Sequence, residues 1–299
     1  MLNVVIPATD EPASLQRCLD ALARSDEPHA VEVVRAPCDA GPAAARNAGV
    51  ARTAGEIVVF VDSDVEVHPD ALRRLRERLD GDPLLAAVFG CYDDRPAAPQ
   101  AVSRFRNLLH HHVHMSSPGE AQTFWAGLGA IRHEAFDAVG GFDERRFGRP
   151  SIEDVELGMR LHAAGRRIVL DPAVQGTHLK RWTLRSMLRA DLADRGVPWV
   201  ALALEQRRAG TALNLSWRQR AAAASAVATV AAVGVGRPRV AAAALLAMIS
   251  ANMSFYVLLG RRGGTRLALA GVPLHLLHHL TAALSVPVGV AAWARGARR

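Results

Sequence analysis

Asp62, Ser63 and Asp64 follow the apolar run Ile57–Val61. Two carboxylates at i and i+2, just past a strand, lie at the edge where open α/β sheets take ligands. As hard oxygen donors they suit Mg²⁺ or Mn²⁺ bridging a diphosphate, where a metal neutralises charge growing on a leaving group. An Asp-x-Asp tripeptide also recurs by chance and as a turn or helix cap, so its context carries the weight. A second acidic pair, Glu153-Asp154, heads a helical stretch. One carboxylate there can take a proton from an attacking hydroxyl. The structural alternative is a charged helix start with Ser151 as its cap. His110 and His114 share a helix face at i, i+4, yet no nearby carboxylate completes a zinc set. That stretch reads as a helix beside an acceptor entrance or as a plain surface helix.

The elements that must position these groups are legible up to about residue 183. Runs at 4–6, 31–34 and 57–61 read as buried strands, and 14–24 and 70–80 as amphipathic helices, the second opened by Pro69 and Asp70. Strands alternating with helices predict an α/β fold with a mostly parallel sheet covered on both faces. No internal repeat interrupts this pattern.

Composition narrows the class. Half of the 299 residues are hydrophobic and 22% charged, which excludes a disordered chain. Three cysteines (Cys18, Cys38, Cys91) form no C-x-x-C pair, which argues against a disulfide scaffold and for a reducing compartment. The formal charge is +7, and Lys180 is the one lysine. Aromatic residues are only 5%, and no basic run interleaves them as base-stacking surfaces do; nucleic acid is not the expected partner. The arginines crowd the C-terminal third around apolar stretches, a pattern suited to lipid headgroups.

That third divides again. Residues 184–220 mix Arg with Leu, Met and Trp, as in amphipathic helices lying on a bilayer or in a solvated helix. Residues 221–299 hold apolar stretches at 221–236, 240–260 and 267–294. The second suits one crossing; the third, carrying Pro273 and Pro287, is a long span or a broken re-entrant pair. If all three cross, the arginines split almost evenly between the two sides, with little positive-inside bias. The sequence opens without a basic n-region or apolar h-region, so the expected location is the cytoplasmic membrane with the N-terminal domain in the cytoplasm.

A series of motifs occurs in order: 4–11 (VVIPATDE), 41–49 (GPAAARNAG), 55–64 (GEIVVFVDSD), 140–144 (GGFDE) and 152–161 (IEDVELGMRL). The series resembles the family 2 glycosyltransferases, inverting enzymes of GT-A fold, over residues 2 to about 183. The resemblance implies a hexosyltransferase that moves a sugar from a nucleotide-sugar donor to a polyprenyl-phosphate, glycolipid or glycan acceptor. Position by position, it implies that Pro7, Ala8 and Asp10 line the nucleotide pocket and that Arg46 contacts the nucleotide. Asp62 touches ribose or sugar, Asp64 holds the metal with Asp62 beside it, and Glu66 is a further metal-side ligand. Asp154 is the implied base, with Glu153 or Glu156 as alternatives. Trp125 and Gly127 fall in the sugar and acceptor pocket. His178-Leu-Lys-Arg181-Trp182 looks like the Q-x-x-R-W element of processive members, with His for Gln. There Arg181 and His178 handle the diphosphate and Trp182 supports the acceptor; an interfacial Trp flanked by cations is the alternative.

One departure stands out. Family members carry a second strand ending in Asp-Asp-Gly-Ser, and no such tetrapeptide occurs between Pro7 and Arg46. The expected GT-A sheet is therefore short by one strand–helix unit. That puts 31–34 beside the first strand and leaves Asp39 to stand in for the absent Asp. It also opens a second reading, a membrane-bound module that binds nucleotide or a partner without turnover. A sugar-nucleotide pyrophosphorylase needs a Gly-rich loop with Arg and Lys after the first strand, which Pro7-Ala-Thr-Asp-Glu-Pro is not.

Overall fold

The computed structural model describes residues 1–8, 13–35, 41–206 and 216–296. Asp10 and Asp39 lie outside the described residues. The chain divides into two compact units, Met1–Ala97 with His114–Lys180, and Ala98–Val113 with Arg181–Arg299.

The first unit is built on an eight-stranded sheet. Its elements are β1 (Leu2–Pro7), α1 (Leu15–Leu22), β2 (His29–Val34), α2 (Gly41–Val50), β3 (Ile57–Val61), β4 (Val65–Val67), α3 (Ala71–Asp80) and β5 (Leu85–Tyr92). After α4 (Ala101–Met115), within which the division falls, come β6 (Gly119–Ala121), β7 (Leu128–Arg132), α5 (His133–Ala138), α6 (Glu153–Ala163) and β8 (Arg167–His178). The order is β2-β1-β3-β7-β5-β8-β4, with β6 also on β8. β1 pairs in parallel with β2 and β3, and β5 with β8; β7 runs against both β3 and β5. The result is a mixed sheet in which β1, β2, β3, β5 and β8 share one direction.

The apolar runs explain this. Every residue of β3 and of β5 is buried, as expected of interior strands covered on both faces. β2 is the edge, and Val31 is exposed there. It lies directly beside β1, in register from Leu2↔His29 to Pro7↔Val34. The helices place Leu15, Cys18 and Leu22 of α1 and Leu72, Leu75 and Leu79 of α3 in the same core as Val4, Ile6, Val59 and Val61.

The second unit is helical: α7 (Leu184–Arg189), a π-helix (Ala190–Gly196), α8 (Val197–Glu205), α9 (Trp217–Gly234), α10 (Pro238–Ala251) and α11 (Met253–Gly296). Asn252 breaks the predicted 240–260 span, and its side chain turns back to the Met248 carbonyl. α11 contains a non-helical residue, Gly264 (φ 69°, ψ −178°). In a straight helix Phe255 and His275 stand about 30 Å apart; here their ring centroids are 5.2 Å apart. α11 is therefore two antiparallel arms, 253–263 and 265–296, which separates the apolar stretches at 240–260 and 267–294 as the sequence predicts. Arg106 reaches Asp191 at 2.9 Å, and Asp191 in turn meets His278 at 2.9 Å, inside this unit. The histidine helix is not a surface helix: Phe105, Leu108, Leu109 and His111 are all buried.

Candidate functional site

The acidic residues sit where β3 ends. Val65 N donates to the Asp62 carbonyl, closing a turn, and Asp62 N donates to the Gly127 carbonyl at 3.0 Å. The turn thus projects Asp62 and Asp64 from the sheet edge while the backbone before β7 holds it. Ala8, one residue past β1, is fixed beside it by donating to the Val34 carbonyl.

Arg46 of α2 organises the centre. It is buried, and its guanidinium donates to Asp62 Oδ1 at 2.7 Å and to Glu153 Oε1 at 2.9 Å. It also lies over the Phe142 ring. Burial alone would lower the Arg46 pKa, but Asp62, Glu153 and Asp154 more than offset that and raise it. Arg46 is therefore a fixed cation that joins strand, helix and acidic pair. Burial raises the Asp62 pKa, with Arg46 pulling against it and Asp64 adding repulsion.

The two members of the acidic pair have different surroundings. Glu153 is spoken for by Arg46 and by the Ser151 backbone N–H at 2.9 Å. Ser151 is consequently not the helix cap that the sequence suggests: Ile152 holds that position without a side-chain bond. Among the described residues Asp154 accepts from backbone N–H groups, Ala126 at 3.2 Å and Val155 at 2.8 Å. No ion pair engages it among the described residues. Burial, then repulsion from Glu153, pushes its pKa up to about 6. The pair thus divides into a carboxylate held by Arg46 and one whose pKa burial has raised. Glu156 is tied to Arg160.

A second constellation surrounds Asp64. Its Oδ2 lies 3.4 Å from His178 Nε2. His178 ends β8, is buried, and stacks on Tyr92 of β5 at 4.1 Å and 8°. Tyr92 meets Trp125 edge-on at 4.8 Å. Gly127 is required here, because a Cβ on it would lie 2.4 Å from the Trp125 indole. Burial works against ionisation of Asp64, but His178, and after it Lys180, outweigh this and lower its pKa.

The other expected residues have surroundings of their own. Glu66 is held by Arg17 at 2.6 Å and by Arg24 at 3.3 Å, and no cluster of three or more His, Cys, Asp or Glu side chains suited to a metal occurs among the described residues. Alternation along β4 explains this: Glu66 faces away from Val65 and Val67, toward α1. Arg181 and Trp182 belong to the second unit, where Trp182 is buried in the cluster with Phe105 and Phe255, and its backbone N–H donates to Ser103 Oγ at 2.8 Å. Pro7 ends β1 and is buried. Tyr92 is the residue that sequence reasoning missed: a lone Tyr after an apolar run has no spacing signature until β5 pairs with β8.

Residues 21–140 match the family model "Glycosyl transferase family 2". The pre-mycofactocin glycosyltransferase of Mycobacterium tuberculosis is 32% identical over 165 residues, 53% of this chain and 34% of that protein. The uncharacterized protein y4gI of Sinorhizobium fredii is 31% identical over 165 residues, 48% of this chain and 18% of that protein. The chain thus spans about a third or less of the length of these relatives. Among solved structures, the mannosyltransferase PcManGT from Pyrobaculum calidifontis, in complex with GDP-Man and Mn²⁺, superposes with a TM-score of 0.56 at 20% identity. The match covers 95% of this chain and 86% of that one, and shows the shared GT-A fold.

Proposed function

We propose, for a chain that carries a glycosyl transferase family 2 domain on a GT-A fold, that it transfers a sugar from a nucleotide-diphosphate donor, with inversion, to a lipid-linked or envelope-glycan acceptor at the cytoplasmic face of the membrane. The observation that carries this reading is the division of labour at residues 153–154. Arg46 engages Glu153 and leaves Asp154 as a base whose pKa, about 6, lies just below neutral pH. A base so poised is ionised at neutral pH yet still basic enough to share a proton in the transition state. Its carboxylate takes the proton of the acceptor hydroxyl as that oxygen attacks the anomeric carbon from the face opposite the leaving diphosphate. Trp125, packed on Gly127, walls the pocket where the acceptor stands.

Asp64 and His178 fit a divalent metal. A carboxylate oxygen and an imidazole nitrogen converge at 3.4 Å, a donor pair that Mn²⁺ accepts. Mg²⁺ likewise takes one or two protein ligands and completes its shell with phosphate oxygens and water. When bound, the ion supplies positive charge against the diphosphate. Tyr92 keeps the His178 ring flat against it, and Arg46 keeps Asp62 turned toward the donor side. The Mn²⁺ in the PcManGT structure supports use of a divalent metal.

Membrane attachment is part of the proposal. The second arm of α11, residues 265–296, is long enough at about 1.5 Å per residue to cross a bilayer and is mostly apolar, and Val230, Val233, Leu246, Leu269 and Val286 are exposed on the second unit. The M. tuberculosis relative adds pre-mycofactocin to the acceptors worth testing. A second reading, a nucleotide-binding module without turnover, is favoured by the lack of an Asp-Asp-Gly-Ser tetrapeptide between Pro7 and Arg46.

One titration separates the two. Detergent-purified protein is titrated with UDP, GDP, dTDP and CDP in Mn²⁺ or Mg²⁺, beside Asp64→Ala, and then supplied with the matching sugar nucleotide. Metal-dependent binding lost in Asp64→Ala, followed by turnover, is expected. Binding without turnover of any donor establishes the non-catalytic module, and no binding at all removes the donor site.

A further inference from the structure

Residues 206–299 contain twelve arginines and no Asp, Glu or Lys. The reversal at Gly264 gathers part of this charge. The tip between the two arms of α11 reads Arg261-Arg262-Gly263-Gly264-Thr265-Arg266, and all three of its arginines are exposed. The arms below it are in close contact: a Cβ on Gly271 would lie 2.4 Å from Leu259 Cδ1, and the Tyr256 and His275 rings are 5.6 Å apart. Gly264 has the positive φ that a tight reversal needs. Arg104 of α4 donates to the Arg262 carbonyl, which fastens the tip and adds a cation beneath it.

α9 points the same way. Ala222 and Ala226 pack with Met248, and Gln219 donates to Asn252 Oδ1 at 3.1 Å. The start of α9 therefore lies level with the end of α10, so Arg218 and Arg220 lie toward the tip, while Arg237 and Arg239 occupy the opposite turn. Immediately below the tip, Val257 and Leu269 are exposed. A concentrated cationic cap thus sits on apolar flanks, with no acidic residue in its own 94-residue segment to balance it.

We infer that the Gly264 tip docks onto an anionic phospholipid surface, its guanidiniums taking the headgroup phosphates. This rests on the membrane attachment proposed above. Guanidiniums match phosphate oxygens in a two-pronged geometry. Each one near an anionic leaflet is worth about fivefold in binding. The exposed apolar residues beside the tip select a lipid surface over an acidic protein, whose docking face would have to leave them in water.

The test uses the full chain in non-ionic detergent, with bound lipid counted by native mass spectrometry against added phosphatidylglycerol or phosphatidylcholine. Two double variants remove the same charge at opposite ends, Arg261→Gln/Arg262→Gln at the tip and Arg237→Gln/Arg239→Gln at the far turn. Their melting temperatures are checked first. The tip variant is expected to lose about 25-fold in phosphatidylglycerol binding, with phosphatidylcholine unchanged and the far variant within about threefold of the parent chain. Inorganic phosphate at matched concentration should not displace the lipid. Equal losses in both variants, equal binding of the two lipids, or displacement by phosphate each overturn the inference. A tip variant that stops binding an acidic polypeptide rather than lipid also overturns it. A chain that stays monodisperse without detergent and binds neither lipid removes the membrane reading itself, whereas lipid binding indifferent to the tip removes only this inference.

Discussion

The two units manage charge in opposite ways. In the first, the carboxylates around the end of β3 have cationic neighbours, Asp154 excepted: Arg46 joins Asp62 and Glu153, His178 faces Asp64, and Glu66 is held by Arg17 and Arg24. In the second, arginine runs from 207 to 299 without one acidic residue, and the buried Arg106–Asp191–His278 chain is its main internal compensation. A site that must hold charged reactants is pre-paired and rigid, with one carboxylate left to titrate. Under the membrane reading proposed above, the second surface meets a charged layer, and its own segment supplies arginine without acid.

This contrast can be broken most decisively at Asp154. Asp154→Asn keeps the shape and removes the base, so kcat should fall about 10²–10⁴-fold, measured by nucleoside-diphosphate release. Full turnover in this variant would return the base to Glu153. The same substitution has a thermodynamic signature. The raised Asp154 pKa means that the folded state disfavours the charged carboxylate, so stability from this group is present at low pH and lost as pH rises through about 6. Asp154→Asn should therefore melt a few degrees above the parent at pH 8, and the gap should close toward pH 4.

The next effect is on folding. Arg46→Ala strands a buried Glu153 carboxylate, and breaking such a pair costs about 3–5 kcal/mol; chemical denaturation should show it, and Arg46→Lys should recover part. By contrast, removing Arg237 and Arg239, which have no acid near them in sequence, should leave stability almost unchanged. A smaller change is expected at Tyr92, whose ring stacks on His178. Tyr92→Leu should weaken Mn²⁺ binding in the presence of nucleotide about 10-fold, read by electron paramagnetic resonance, with the melting temperature little moved. The mildest test is the acid limb of kcat/KM, which should fall below about pH 6 as Asp154 takes up its proton.

How far the sequence reached depended on whether a feature was local. β1, β2 and β3 follow from short apolar runs, because those are statements about consecutive residues. The reversal near Gly264 was readable too, since Gly263-Gly264 between arginines cannot continue an apolar helix cheaply. Asn252 was not: one Asn in an uncharged stretch says nothing until its side chain finds the Met248 carbonyl. The same limit hid Tyr92, whose partner lies 86 residues away on β8. It also hid the arginine partners of Glu66 and Glu153, since Arg17, Arg24 and Arg46 come from distant parts of the chain. The π-helix at Ala190–Gly196 has no signature in its residues that we can identify.

The edge-on contact between Trp125 and Tyr92 has an optical consequence. The indole sits 4.8 Å from a ring that itself covers His178, and 5.4 Å from the His114 imidazole. Tryptophan emission is sensitive to neighbours at such range. With Trp182, Trp199, Trp217 and Trp293 replaced by Phe, the remaining Trp125 becomes a built-in lamp whose brightness reports, without any label, whether the floor of the pocket is empty or filled.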